Sequence, residues 1–339
     1  MLRMSNHGIL LINLGTPDSP SVADVRRYLS EFLSDPYVID IPAPLRWLLL
    51  NCIILRTRPK KSAAAYQQIW HEDGSPLLIN TRNFCNSLKE AVVGKFEVVF
   101  AMRYGKPTIE SSLKELQERG CDKVTVLPLY PQYALSTTTS SIEKTLEVLD
   151  QIHYHPDIQF INSFYDDTGF ISAYAHHIRL FLGNQKPDML LMSFHGLPER
   201  HIKKVNCQYT KNCNTPLPCP AINEKNELCY RAQCYATAHA ISHQLALDKK
   251  QYAVSFQSRL GRTPWIQPYT DEVLTQLREQ GCENLAVACP SFVSDCLETL
   301  EEIGIRLREQ WLAHGGKSFT LIPCLNDNNE WVEALANML

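Results

Sequence analysis

The hydrophobic positions along the chain fall into two alternating patterns. Short, nearly continuous apolar runs occur at Gly8–Gly15, Phe96–Ala101, Val124–Leu129, Met189–Phe194, Tyr252–Phe256 and Leu285–Ala288. An unbroken apolar run of this length suits a strand buried on both faces of a parallel sheet. Between these runs lie stretches such as Ile109–Arg119 and Asp271–Gln280, where apolar residues return every three or four positions. That spacing puts them on one face of a helix. Strands alternating with such helices predict an α/β fold with doubly wound parallel sheets.

The pattern also repeats. Gln117–Val126 reads QERGCDKVTV, and Arg278–Val287 reads REQGCENLAV. Upstream, Arg103-Tyr104-Gly105 matches Arg259-Leu260-Gly261, each followed shortly by a proline, Pro107 or Pro264. The offset of roughly 160 residues is about one domain. Two similar doubly wound domains are therefore expected: residues 1–145 plus 325–339, and residues 146–324. In such folds ligands bind beyond the carboxyl ends of the strands, which predicts an active site in the cleft between the domains.

Composition narrows the function. With 45% hydrophobic and 20% charged residues the chain is ordinary globular material. A net charge of -3 leaves no basic footprint for nucleic acid. Neither GxGxxG nor GxxxxGK[ST] occurs, so the nucleotide-binding readings fail. Met1–His7 lacks the apolar region of a signal peptide, and no apolar run reaches the roughly 18 residues of a spanning helix; a cytoplasmic protein is expected. The apolar run Trp47–Leu55 precedes Arg56, Arg58, Lys60 and Lys61. It suits either peripheral contact with a membrane surface or a buried helix end with a solvated flank.

Twelve cysteines are many for such a chain, and clustered thiols in a reducing compartment point to metal or redox chemistry. Five follow one another as Cys207-x5-Cys213-x5-Cys219-x9-Cys229-x4-Cys234, while the other seven are scattered and read as core residues. Four thiolates can hold a 2Fe–2S cluster or a tetrahedral zinc. The paired CxxC of a zinc ribbon is missing, although zinc stays open.

Other candidate chemistry lies at strand ends. Met189–Phe194 runs directly into His195-Gly196-Leu197-Pro198, where a neutral imidazole can accept a proton or ligate a metal. After the run Leu285–Ala288 comes Pro290–Glu302 (PSFVSDCLETLEE), with Ser294 or Asp295 as a candidate N-cap. On a regular helix Asp295, Glu298 and Glu302 share one face. They could complement the helix dipole, or form a path for a divalent cation or protons. Trp265 suits either the core or the wall of a flat apolar pocket. Tyr130 and Tyr133 precede the hydroxyl-rich helix start Ser136–Ser141.

Taken together these segments resemble the ferrochelatase family over nearly the whole chain. The resemblance rests on Leu11–Pro17, Gly74-Ser75-Pro76, Tyr130-Pro131-Gln132-Tyr133 and Ser193-Phe194-His195-Gly196-Leu197-Pro198. Gln257-Ser258-Arg259 with Pro264-Trp265, and Ser294–Leu300, complete it in the family's order. It implies insertion of Fe(II) into protoporphyrin IX to form protohaem, with release of two protons. The alternatives are coproporphyrin III or another tetrapyrrole as substrate, or a non-enzymatic haem-binding protein.

The resemblance also implies roles. His195 is the proton acceptor or iron ligand, Glu298 its metal-binding or proton-conducting partner, and Asp295 and Glu302 a possible relay. Ser193, Trp265, Tyr130, Arg103 and Tyr104 are expected at the porphyrin, with Arg103 pairing a propionate. Where the family normally has a histidine two residues before the glutamate, Cys296 stands. The cysteine-rich segment 203–230 resembles the insertion by which some family members hold a 2Fe–2S cluster. Cys234 falls in what resembles the helix start after that insertion, so Cys207, Cys213, Cys219 and Cys229 are the implied ligands, with Cys234 as the substitute.

Overall fold

The structure is a computed structural model that describes residues 6–261 and 263–339. Most of the N-terminal segment on which the leader reading rests, Met1–Ser5, and Arg262 in the loop before Trp265 lie outside the described residues.

Eight strands form two four-stranded parallel sheets. The first contains β1 (His7–Gly15), β2 (Glu97–Tyr104), β3 (Lys123–Pro128) and β4 (Asp157–Phe160), in the order β2-β1-β3-β4. The second contains β5 (Met189–His195), β6 (Tyr252–Gln257), β7 (Asn284–Ala288) and β8 (Ser318–Leu321), in the order β6-β5-β7-β8. The two orders are the same arrangement, as the internal repeat predicts: its strand portions are β3 and β7. The six apolar runs are the four inner strands β1, β3, β5 and β7 and the edge strands β2 and β6. Ile9–Ile12 at the centre of β1 are wholly buried because helices cover both sheet faces.

The chain divides into two compact units. The first holds the residues up to Tyr130, then Leu135–Ser163 and Asn326–Leu339; the second holds Pro131–Ala134 and Phe164–Leu325. This moves the expected boundary from 145/146 to 163/164. The physical reason is β4, which pairs with β3 and so keeps residues 146–163 with the first sheet.

In the first unit Leu10, Ile12, Val99, Leu113, Leu116, Val124 and Val126 form the core. Gly15 ends β1 at φ +113, where a Cβ would collide with the Tyr104 carbonyl, so only glycine fits there. Gly74-Ser75-Pro76 is a helix start: Ser75 Oγ accepts from Leu78 N at 3.2 Å, and Pro76 opens the helix Pro76–Ala91. The C-terminal helix Asn329–Met338 returns to this unit, and its buried Trp331 stacks on Phe84 at 5.6 Å.

Trp47–Leu55 is no buried helix end. It spans a short helix, Ala43–Leu49, and a π-helical turn, Leu50–Ile54, and it leaves Leu45, Trp47, Leu48 and Ile53 more than half exposed. Among the described residues no helix is long and apolar enough to cross a membrane.

The Phe84–Trp331 stack fixes the return of the chain. Trp331→Ala should therefore cost about 3–5 kcal/mol in urea unfolding. A loss under about 1 kcal/mol would show that the C-terminal helix is only loosely attached.

Candidate active site

The second unit places its chemistry where doubly wound sheets build sites. β5 leads to β6 on one side and its neighbour β7 leads to β8 on the other, so the connections diverge between the carboxyl ends of β5 and β7 and open a crevice there. His195 is the last residue of β5, Gln257 ends β6, and the segment after β7 leads to Glu298.

His195 is held in one tautomer. Its Nδ1 lies 2.6 Å from the Gly196 carbonyl. A carbonyl can only accept, so Nδ1 carries a proton, and in the neutral ring the lone pair is on Nε2. The backbone N–H of His195 donates to Ser291 Oγ at 3.1 Å. The turn itself is braced on several sides. Gly196 N donates to Gln257 O at 2.8 Å, Glu199 N to Pro264 O at 3.1 Å, and Ile266 N to Leu197 O at 2.9 Å. Gly196 has no room for a Cβ against the Gln257 carbonyl. Trp265 and Phe292 flank the imidazole at ring separations of 6.5 and 6.3 Å. The result is a basic nitrogen between two aromatic faces.

The carboxylates sit on an unusual element. Glu298–Leu307 is a ten-residue π-helix, a wide i→i+5 turn that is rare and concentrates at functional sites. No Ser294 or Asp295 side chain caps it; the residue before it, Leu297, is already helical. Asp295 precedes the helix, and its buried carboxylate accepts from Thr299 Oγ1 at 2.9 Å and from Cys324 N at 3.2 Å. That corrects its assignment to the relay. Asp295 ties the loop to the segment after β8, because burial turned it toward protein donors.

Glu302 lies within electrostatic reach of both His195 and Glu298. Glu302 Oε1 accepts from Ser258 N at 2.8 Å and Oε2 from Ser258 Oγ at 2.6 Å. Gln257 Nε2 donates to the Glu298 carbonyl at 3.0 Å. Ser258 makes these bonds from a left-handed backbone, φ +67, strain of the kind that collects at functional sites. Burial raises the Glu302 carboxyl above the ordinary carboxylate range, and Glu298 adds to the rise. Ser258, His195 and Arg306 oppose it.

Other expected residues support the site rather than face it. Ser193 is fully buried and donates to Gln257 Oε1 at 2.7 Å. It orients the glutamine that grips Glu298, which replaces its expected porphyrin contact. Arg103, Tyr104 and Tyr130 belong to the first unit. Arg103 bonds the buried Asp35 at 2.6 Å and Ser140 Oγ at 2.8 Å, and Tyr104 donates its hydroxyl to Asp35 at 2.8 Å. Asp35 already neutralises the Arg103 charge, which argues against Arg103 as a propionate clamp and Tyr104 as a ligand contact. Burial raises the Tyr130 phenol.

The cysteine-rich segment is also in the second unit. Cys207, Cys213 and Cys229 are buried and Cys219 partly so. Cys229 donates to Cys207, which pulls the Cys207 thiol down and pushes Cys229 up. Burial raises Cys213 to about 12 and raises Cys219. Arg231 Nη1 donates to Cys219 Sγ at 2.9 Å. Cys234 is turned to the Tyr230 hydroxyl. Among the described residues no three His, Cys, Asp or Glu side chains converge tightly enough to hold a metal ion. The chemistry of the donor set nevertheless fits a thiolate-bound group: four sulfurs beside a buried cation.

Sequence reasoning missed Ser258, Gln257, Ser291, Phe292 and Arg231 as working residues. The first two stand in a quoted motif, but nothing local says that they reach the π-helix.

Comparison with known proteins fixes the class first. SirB from Bacillus subtilis, solved with Fe3+, has the same fold at a TM-score of 0.56 and 12% identity, over 98% of this chain and 93% of that one. The sirohydrochlorin chelatase SirB from Bacillus subtilis subspecies spizizenii, in complex with cobalt, matches at 0.53 and 12% over the same shares. At that identity the likeness speaks for the chelatase fold alone.

The family follows from closer relatives. The ferrochelatase family model matches residues 6–339. The ferrochelatase of Coxiella burnetii (strain Dugway 5J108-111) is 49% identical over 331 residues, 98% of this chain and 92% of the relative. That of Legionella pneumophila (strain Lens) is 46% identical over 332 residues, 98% of each. The chain belongs to the ferrochelatase family, and it is an enzyme that inserts Fe(II) into a porphyrin.

The raised Glu302 carboxyl makes a signed prediction. A native pKa above the unfolded one means that the native state holds the proton more tightly. Stability then falls as pH climbs from the ordinary carboxylate value through the raised one. As pH rises above about 4, the wild type should lose thermal stability relative to Glu302→Gln, which cannot ionise. Melting curves that stay parallel across that range would contradict the shift.

Proposed function

We propose that the chain inserts Fe(II) into protoporphyrin IX, with His195 Nε2 as the group facing the pyrrole nitrogens. The observation that carries this reading is the Nδ1–Gly196 bond of 2.6 Å, which puts the lone pair of the neutral ring on Nε2, with Trp265 and Phe292 beside the imidazole. The porphyrin core loses two N–H protons while Fe(II) keeps its charge, so the site needs a base and an exit for protons but no electron donor. Nε2 takes a pyrrole proton, or ligates the iron while the proton passes elsewhere. Glu298 attracts the cation and Glu302, raised by burial, accepts a proton readily. Trp265 and Phe292 offer apolar faces on which a macrocycle can be bent, exposing its lone pairs to the metal.

The test is an anaerobic assay with Fe(II) and either protoporphyrin IX or coproporphyrin III, followed by haem absorbance. Protohaem formation should fall by about 10²-fold or more in His195→Ala, the contribution typical of a positioned base. Turnover of coproporphyrin III alone would move the substrate and keep the site. Unchanged turnover in His195→Ala would remove His195 from the chemistry.

Cys207, Cys213, Cys219 and Cys229 are proposed to hold a 2Fe–2S cluster. Cys219 accepts from the buried cationic Arg231, and Cys207, Cys213 and Cys229 are buried in the same segment, which favours an anionic thiolate set. When bound, such a group cross-links the segment through metal–sulfur bonds and takes no part in the insertion. Protein purified without oxygen should carry about two iron and two acid-labile sulfide per chain, and lose them in Cys219→Ser. One zinc per chain without sulfide would replace the cluster with a zinc site; neither metal would leave four structural thiols.

A further inference from the structure

Arg231 is among the largest fully buried side chains of the protein, and the chelation chemistry above gives it no part. Its guanidinium is spread over two segments of chain. Nη2 donates to the carbonyls of Thr215 and Leu217 at 3.0 and 2.7 Å, and Nη1 to Cys219 Sγ at 2.9 Å, all in the cysteine-rich segment. Nε donates to the Gln267 carbonyl at 2.9 Å. The plane lies over the rings of Tyr235 at 4.9 Å and Phe256 at 5.9 Å. Among the described residues no carboxylate pairs with it. A buried charge held by dipoles, a sulfur and aromatic faces is costly to keep, and only a rigid planar fork can reach these partners at once.

Gln267 is bonded from both sides. Its carbonyl accepts from Arg231, while its N–H donates to the Cys213 carbonyl at 2.8 Å. Two residues earlier stands Trp265, 6.5 Å from the His195 ring, and Pro264 and Ile266 are hydrogen-bonded to the turn that follows His195. A continuous chain of short bonds thus runs from Cys213–Cys219 through Arg231 and Gln267 to the aromatic wall of the site.

We propose that Arg231 is a positioning residue for metal insertion, through which the cysteine-bearing segment sets the place of Trp265 beside His195. It touches neither porphyrin nor iron. The proposal rests on the reading of Trp265 as a wall of the porphyrin site, and it holds whether the thiols carry a cluster, a zinc ion or protons.

The experiment is a double-mutant cycle on the full-length enzyme as purified: wild type, Arg231→Gln, Trp265→Phe and the double variant. KM for protoporphyrin IX and kcat are measured separately, with Arg231→Lys as the milder variant should Arg231→Gln fold poorly. Trp265→Phe alone tests the wall: an unchanged KM would sink that reading and this proposal with it. If the wall holds, Arg231→Gln should raise KM about tenfold with a smaller change in kcat, as a slight misplacement of a binding group does. The double variant should then be no worse than the poorer single one, because both changes break the same link. Fold-changes that simply multiply would overturn the proposal and leave the wall standing.

A second readout needs no turnover. The fluorescence difference between the Trp265-containing protein and its Trp265→Phe counterpart isolates that indole. Acrylamide should quench it more strongly in the Arg231→Gln background than in the wild type. Equal quenching would show that Arg231 does not hold the loop.

Discussion

The grip of the end of β6 on the π-helix is the constraint on which the candidate site depends. Gln257 holds the Glu298 carbonyl, and Ser258 closes on both oxygens of Glu302 with its N–H and its hydroxyl. A π-helix wastes backbone packing and persists only where its surroundings hold it. Here the holding groups fix the Glu298 backbone and the Glu302 carboxylate. Ser193, buried one strand away, orients Gln257 in turn. The site is thus built by three adjacent strands of one sheet, β6, β5 and β7, each contributing its last residues or the segment that follows.

The same sheet order occurs twice, yet the chemistry is concentrated in the second copy. In the first unit the corresponding strand end carries Arg103 and Tyr104, and both side chains are engaged by Asp35. In the second unit Arg259 at the equivalent position pairs with Asp271 and Glu272, one residue beyond the Ser258 that serves Glu302. A shared scaffold with different side chains at its strand ends is how one architecture acquires a reactive half.

The parts legible in the sequence were those whose physics is local. Unbroken apolar runs gave away the central strands, and His195 stood out because it follows one of them. The edge strands β4 and β8 did not, since DIQF and SFTL are short and half exposed and carry no continuous apolar signal. Missing β4 is what misplaced the boundary between the units. The spacing put Asp295, Glu298 and Glu302 on one helix face, but spacing alone does not reveal that Asp295 lies before the helix and bonds Cys324. Arg103 and Ser193 were misjudged for a related reason. A motif shows that a residue is present, not which way its side chain points. Ser258 and Arg231 act on partners 44 and 36 residues away, and no window along the chain contains both ends of such a bond.

Glu298, at the start of the π-helix, is proposed to act in the insertion step rather than in holding porphyrin. Single-turnover metallation of Glu298→Gln, run beside a fluorescence titration of porphyrin binding, separates the two. The account predicts porphyrin affinity within about threefold of wild type and a metallation rate reduced by about 10²-fold or more. Metallation at the wild-type rate, or a defect confined to porphyrin affinity, would contradict it.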